Sequence, residues 1–348
     1  MTKVRVMIVE DSQVIRELLT HIIAGDSRLE LVGAVESGED ALPMVDATSP
    51  DVISIDIRLP GMNGFELTRQ IMRNRPTPIV VVSASVESED LQITMNALSA
   101  GALTVLEKPT GVTARDYETL AQRLCTQLVV MSQVKVVRRH AARAAFPREP
   151  QTRRIPADFR MLGIVSSTGG PNALVQLLNG LGASFPLPVL LVQHITSSFL
   201  EGFTGWLQTV TPFQIQIVKE RVLAVPGKIY VAAPEHHLQL EKEYVRTRAG
   251  DPVRAQRPSG TVLFESMANV LGTRGLGVLL TGMGDDGAHG LLRLRQCGGH
   301  TIAEDESTAV VYGMPAEAVR LGAVAESLPL TAIAPRILQL TGPRREVA

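Results

Sequence analysis

The sequence predicts two α/β domains in succession, each a doubly wound parallel sheet, and three observations carry that reading. Short Val- and Ile-rich runs alternate with longer amphipathic stretches, the pattern of strands joined by crossover helices. The alternation breaks after "LEKPTG" and restarts at "RMLGIV". Polar residues able to do chemistry stand at the ends of the apolar runs, where the strands of an open sheet share one crevice. The expected division is residues 1–122 for a first, flavodoxin-like domain, 123–157 for a helical and basic linker, and 158–345 for a second domain.

Composition sets the bounds. The chain has 348 residues, 45% hydrophobic and 20% charged, enough for two ordinary cores. A net charge of -1 supplies no global field to recruit nucleic acid or an anionic membrane. Cys125 and Cys297 are too few for a secreted disulfide framework and fit a reducing cytoplasm. No apolar run approaches the roughly 18 residues of a membrane span, and two acids interrupt "VRVMIVEDS" before it could serve as a signal peptide. The expectation is a cytoplasmic monomer with no nucleic-acid partner and no direct membrane insertion.

In the first domain the strand ends are informative. Glu10 and Asp11 follow "VMIV", Asp56 follows "VISI", Ser83 ends "PIVVVS", and Lys108 follows "LTVLE". "FELTRQIMRN" and "DLQITMNALSAG" read as crossover helices between them. Three carboxylates converging in one crevice call for a hard divalent cation, and Mg2+ is the natural one. A single strand-end acid is more often the cap of the next helix. Five polar residues at matching strand ends are a stronger signal. The Lys108–Pro109 bond is a candidate for the cis form.

With "DIRLPGMNG" around Asp56, this half resembles the response-regulator receiver domain. The resemblance implies that Asp56 accepts a phosphoryl group from a histidine kinase. It also implies that Asp11, Asp56 and the Arg58 backbone carbonyl bind Mg2+, that Glu10 acts through water, and that Ser83 and Lys108 contact the phosphoryl group. Val105 stands where the family usually has Phe or Tyr, three residues before the lysine, so switching by an aromatic side chain is not expected here.

The linker should open with a helix over about 116–137. From its end onward, Lys135, Arg138, Arg139, Arg143, Arg148, Arg153 and Arg154 are opposed only by Glu149 and interrupted by Pro147, Pro150 and Pro156. Such a stretch is either a solvated spacer or an electrostatic docking segment.

In the second domain, "GIVSSTGGP" places Ser167 between a strand and a helix, with Gly169 and Gly170 to relax the turn and Pro171 suited to a first helical turn. The helix N-terminus there favours a developing oxyanion. Serine needs a base, and His194, ending "LPVLLVQH", is the candidate at the next strand end. Asp285 and Asp286 in "LTGMGDDG" are both placed to orient the imidazole. His236, His237, His289 and His300 compete as bases, the first two reading as loop or strand-edge residues. A rival reading takes Gly282, Gly284 and Gly287 as a G-x-G-x-x-G dinucleotide fingerprint with Asp305 as the ribose acid. Two carboxylates inside the loop would repel a pyrophosphate, which argues against it.

"SSTGGP", "VQH", "PGKIYVAAPEHHL", "LTGMGDDGAHGL" and "GGHTIAEDESTAVVYGMPAEAV", in that order behind a receiver, resemble the chemotaxis response-regulator protein-glutamate methylesterase (CheB) family. The resemblance implies Ser167 as nucleophile, His194 as base, and Asp286 rather than Asp285 as the orienting acid. It further implies the Met283 backbone at the oxyanion, with Thr168 beside the nucleophile. The reaction implied is hydrolysis of glutamate methyl esters on the signalling helices of a methyl-accepting chemoreceptor, with glutamine deamidation as a second activity and no cofactor for the ester chemistry. Three residues depart from the family pattern around the cleft: Val165 for a usual Gly, Glu201 for a basic residue, and Thr261 for an Asp. They keep open an alternative, a phosphorylation-dependent receptor- or kinase-binding module without efficient turnover.

Overall fold

Five apolar runs form the sheet of the first unit: β1 (Val4–Val9), β2 (Leu29–Val35), β3 (Val52–Ile55), β4 (Ile79–Ser83) and β5 (Thr104–Glu107). The structure is a computed structural model and describes residues 2–83, 95–98, 100–108, 114–134, 136 and 158–342. These fall into two compact units, Met1–Arg143 and Ala144–Ala348. The five strands pair in parallel in the order β2-β1-β3-β4-β5. β3 and β4 are buried at every position, which is why they read as unbroken apolar runs without alternation.

Crossover helices α1 (Gln13–Gly25), α2 (Gly38–Thr48) and α3 (Gly64–Asn74) start at Ser12, Ser37 and Asn63, whose side chains accept from the N–H groups of Ile15, Asp40 and Glu66. Helix α4 runs Ala114–Ser132, ending short of the expected limit near residue 137; β-branched Val134 and Val136 follow its end. Pro109 and the arginine-rich stretch 138–154 lie outside the described residues. The strand order reverses between β1 and β3, so Glu10, Asp11 and Asp56 open onto one crevice. At Gly64 an added Cβ would fall 2.3 Å from the Asp56 carbonyl oxygen, so only glycine lets α3 begin that close to the acid.

Seven parallel strands make the sheet of the second unit: β6 (Met161–Ser166), β7 (Val189–Gln193), β8 (Gln214–Val218), β10 (Lys228–Ala232), β13 (Gly275–Leu279), β14 (His300–Glu304) and β15 (Glu326–Leu328). Their order is β15-β14-β13-β6-β7-β10-β8. The chain enters at β6, lays β7, β8 and β10 on one side with β10 inserted between the other two, then crosses to add β13, β14 and β15 outward on the other. The switch point therefore falls at β6, and Ser167 is the residue just beyond its end. The helices are α5 (Gly170–Leu181), α6 (Leu200–Val210), α7 (Gly260–Leu271), α8 (Ala288–Gln296), α9 (Met314–Arg320) and α10 (Leu330–Thr341). A small antiparallel sheet, β9 (Val222–Leu223), β11 (His237–Glu241) and β12 (Tyr244–Arg248), was not foreseen in the sequence. The β11–β12 turn carries Lys242 at φ 58, where a hairpin usually announces itself with Asn or Gly.

The bulk of Val165 under the serine turn has a structural answer. A Cβ built on Gly260 would fall 2.4 Å from Val165 Cγ1, so the valine occupies the space of the side chain that Gly260 lacks. Gly260→Ala should destabilise the protein by about 1–3 kcal/mol through overpacking. In a Val165→Ala background the same change should cost much less, because the 2.4 and 2.8 Å contacts with the two γ-methyls are gone and only a 3.1 Å contact with Cβ is left. Denaturant unfolding of the four proteins reads this directly, and additive effects would show that the two sites are not packed against each other.

Candidate functional site

Two glycines shape the β6–α5 turn for different reasons. Gly169 has φ 78, the left-handed region, and a Cβ there would lie 2.5 Å from Val310 Cβ. At Gly170 the φ is ordinary, but a Cβ would lie 2.1 Å from Gln193 Oε1. Ser167 is held from one side by its own N–H, which donates to the Thr281 carbonyl at 3.0 Å. On the other side Ser166 pairs with Gln193, and the His194 N–H donates to the Ser166 carbonyl at 3.0 Å. Ser167 and His194 thus stand side by side just past the ladder. Gly282, the residue before Met283, packs so closely that a Cβ on it would fall 2.7 Å from Ser167 Cβ. The Thr168 carbonyl accepts from Thr281 Oγ1 at 2.9 Å, which fixes the turn itself.

The two aspartates separate cleanly. Asp286 Oδ2 lies 2.9 Å from His194 Nε2, whereas Asp285 Oδ2 accepts from Arg254 Nη1 at 2.5 Å. A carboxylate offers acceptors alone, so His194 carries its proton on Nε2 and presents a lone pair at Nδ1. That Nδ1 is buried without a hydrogen-bond partner, and the His194 side chain is 7% exposed. Asp286 is 2% exposed and would be costly to ionise, but it also accepts from Ser259 Oγ at 2.6 Å and from the N–H groups of Gly260 and Thr261 at 2.6 and 3.1 Å. Burial pushes its carboxyl up; the hydrogen bond and charge of His194, then Ser259 and Gly260, outweigh burial and hold it below the usual carboxylate range.

Sequence reasoning missed this cradle. The donors are the cap and first turn of α7, so the acid sits at a helix N-terminus where negative charge is favoured. Thr261 contributes twice, since its Oγ1 accepts the Gly287 N–H at 2.9 Å. His237, read as a strand-edge residue, is buried; its Nδ1 accepts from the Ser259 N–H at 3.2 Å and its Nε2 donates to the Asp251 carbonyl at 2.9 Å. It supports the cap that supports the acid. His236 is engaged with the Pro234 carbonyl and His300 with Glu326, neither at the serine. Glu201 is exposed in the first turn of α6, where an acid suits the dipole. In the dinucleotide reading the Gly287 N–H would serve a phosphate, but it is already taken by Thr261.

The first unit gathers its own group. Lys108 Nζ bonds Glu10 Oε1 and Asp56 Oδ2, each at 2.8 Å, and all three side chains are buried. Ser83, at the end of β4, is buried, and its carbonyl accepts the Lys108 N–H at 3.1 Å. Carboxylate oxygens of Glu10, Asp11 and Asp56 lie within 4.8 Å of one another. Burial, then the neighbouring Asp56, pushes Glu10 up to about 7, with Lys108 pulling the other way. Asp56 is also raised, by burial first, against the opposing pull of Lys108 and the Arg58 N–H. Glu10 Oε2 is buried and has no partner. An orphaned hard oxygen beside two more carboxylates fits a divalent cation such as Mg2+.

Residues 162–337 match the CheB methylesterase family and residues 6–115 the response regulator receiver domain. The chain belongs to the CheB methylesterase family. It is 56% identical over 343 residues to protein-glutamate methylesterase/protein-glutamine glutaminase 2 of Paramagnetospirillum magneticum, covering 97% of each chain. A protein of the same name, numbered 1, from Syntrophus aciditrophicus is 42% identical, covering 97% of this chain and 99% of that one. The crystal structure of the Thermotoga maritima CheB methylesterase catalytic domain superposes with a TM-score of 0.50 at 29% identity, over 52% of this chain and 98% of that one.

Behind the serine of this CheB-family chain lies a buried acid the sequence reading passed over. Glu304 ends β14, is fully buried, and its Oε2 accepts the Thr281 N–H at 2.9 Å, the same Thr281 whose carbonyl holds Ser167. Burial raises its carboxyl above the ordinary range, against the pull of the Thr281 N–H and the Thr308 hydroxyl. A carboxyl raised by folding stabilises fully below its unfolded pKa and loses that contribution as pH rises through the folded one. Glu304→Gln keeps the acceptor and removes the charge. Its stability relative to the parent, followed by denaturant unfolding, should therefore rise with pH above the ordinary Glu range; a pH-independent difference would refute the assignment.

Proposed function

We propose that this chain is a phosphorylation-regulated protein-glutamate methylesterase and protein-glutamine glutaminase acting by a Ser167–His194–Asp286 mechanism. The observation that carries the reading is the pairing of His194 Nε2 with Asp286, which leaves a buried lone pair at Nδ1 on the residue beside Ser167. In this reading Nδ1 takes the Ser167 proton as Oγ attacks the ester carbonyl carbon. The oxyanion is met by the Met283 N–H and by the Thr168 turn at the start of α5. Collapse expels methoxide, which leaves as methanol with the proton held at Nδ1. Water, deprotonated at the same nitrogen, then cleaves the acyl-serine to give glutamate. With a glutamine substrate the leaving group is ammonia. Asp286 keeps the ring in one tautomer and stabilises the imidazolium.

In the receiver, Asp56 is the phosphoryl acceptor, with Ser83 and Lys108 contacting the phosphoryl group. Asp11, Asp56 and the Arg58 carbonyl would hold Mg2+, with Glu10 acting through water; the ion supplies charge neutralisation for phosphoryl transfer. The substrate is a methyl-accepting chemoreceptor and the phosphodonor a histidine kinase, both met in the cytoplasm. Among the described residues no helix is long and apolar enough to cross a membrane.

Methanol release from a methylated receptor helix tests the esterase. Ser167→Ala and His194→Ala should each lose about 10³-fold or more in kcat, and the double variant little beyond either single one. Asp286→Asn should be severe and Asp285→Asn mild; the opposite ranking would exchange the two aspartates. For the receiver, a small phosphodonor with Mg2+ should label the parent protein and leave Asp56→Asn unlabelled, with label in the variant pointing to another acceptor.

A further inference from the structure

We propose that Gln193 is a positioning residue that fixes the spacing between Ser167 and His194, an inference that rests on the esterase reading above. Its side chain is 4% exposed and fully engaged. Oε1 accepts from Ser166 Oγ at 2.6 Å, and Nε2 donates to the Ser167 carbonyl at 2.8 Å and to the His194 carbonyl at 3.0 Å. The orientation is fixed by chemistry. Two carbonyls can only accept, so the amide nitrogen must face them, and the hydroxyl of Ser166 is left to donate to the oxygen.

The β6–β7 pairing ends at Ser166 and Gln193, one residue short of both proposed catalytic residues. Past that point the two chains turn away, Ser167 into α5 and His194 into a loop. One planar amide then ties the carbonyls of both residues to a single rigid group. Its two N–H donors are shared one to each, so neither residue can shift along its strand direction without breaking a bond. The space for this amide is reserved at Gly170, where any Cβ would lie 2.1 Å from Gln193 Oε1. Gln193 does not touch the Ser167 hydroxyl or the His194 ring among its described hydrogen bonds, so it acts through geometry alone.

The test uses the full chain and methanol release from a helical peptide carrying a glutamate γ-methyl ester, from low to saturating peptide. Gln193→Met keeps a similar volume and removes all three bonds. Its kcat should fall about 100-fold while KM stays within about twofold, because misplacement of reacting groups costs rate and not binding. Gln193→Glu is close to isosteric and titratable: protonated, it still donates one bond; ionised, it sets a carboxylate against two carbonyl oxygens. In neither form can it donate to both carbonyls at once, so its kcat should fall at least about tenfold at any assay pH.

Thermal unfolding shows whether each variant is folded at the assay temperature, and either folded variant decides the question alone. A kcat within about threefold of wild type for either folded variant, or a loss confined to KM, would overturn the proposal. Ser167→Ala run alongside separates the two levels. If it still releases methanol at the wild-type rate, the esterase reading itself is wrong; if it is inactive while Gln193→Met is unimpaired, only the role of Gln193 falls.

Discussion

The position of β6 between β7 and β13 is the constraint on which the second unit depends. In a parallel ladder alternate residues of an inner strand bond to alternate neighbours, so the end of β6 is registered against both flanking strands at once: Ser166 accepts from His194 on one side and Ser167 donates to Thr281 on the other. Ser167 spends its own N–H on Thr281. In the proposed mechanism that donor is therefore not available to an oxyanion, which would be met by the Met283 N–H, next in the chain to a Gly282 that packs on the serine, and by the start of α5. In that mechanism the absence of a Cβ at Gly282 would matter for the chemistry as well as for packing.

Asp286 illustrates how a buried charge is made affordable. Both oxygens are fully engaged, by His194, Ser259 Oγ and two backbone N–H groups of α7. Removing partners from a buried charge costs about 3–5 kcal/mol, whereas an exposed pair such as Arg254 with Asp285 contributes about 1 kcal/mol or less. That contrast lies behind the different fates expected for adjacent aspartates. It also explains why threonine is workable at position 261. Its N–H still reaches Asp286 and its hydroxyl still receives the Gly287 N–H, without a second carboxylate crowding the first.

Strand-end chemistry was legible because parallel strands announce themselves as apolar runs and the residue after each run has a fixed place. Glu10, Asp56, Ser83, Lys108, Ser167 and His194 were all located that way, and each stands at the strand end the sequence indicated. The choice between Asp285 and Asp286 was not legible from spacing, since neighbours in a glycine-rich loop point in directions that only the loop decides; the family resemblance picked Asp286. Ser259, Gly260 and His237 were invisible for another reason. They act across 26 to 49 residues of chain, from Ser259, Gly260 and His237 to Asp286, by packing a helix cap onto the loop. The swap of volume between Val165 and Gly260 has the same character: each looks like an oddity alone and becomes intelligible only as a pair.

The two units use the same topological device with opposite electrostatic outcomes. Both place carboxylates at the crevice where strand order reverses. In the receiver the Glu10 and Asp56 carboxyls are raised and share Lys108, and Glu10 Oε2 is left without a partner. That is the signature of a site that gains stability from an added cation, because each further positive charge relieves repulsion already stored there. In the esterase the carboxyl is lowered and every acceptor is met by the chain itself. Such an acid has nothing left to offer a metal ion. Its one side-chain bond to a titratable partner is the one to His194, which is what the proposed Ser167–His194–Asp286 mechanism asks of its third member.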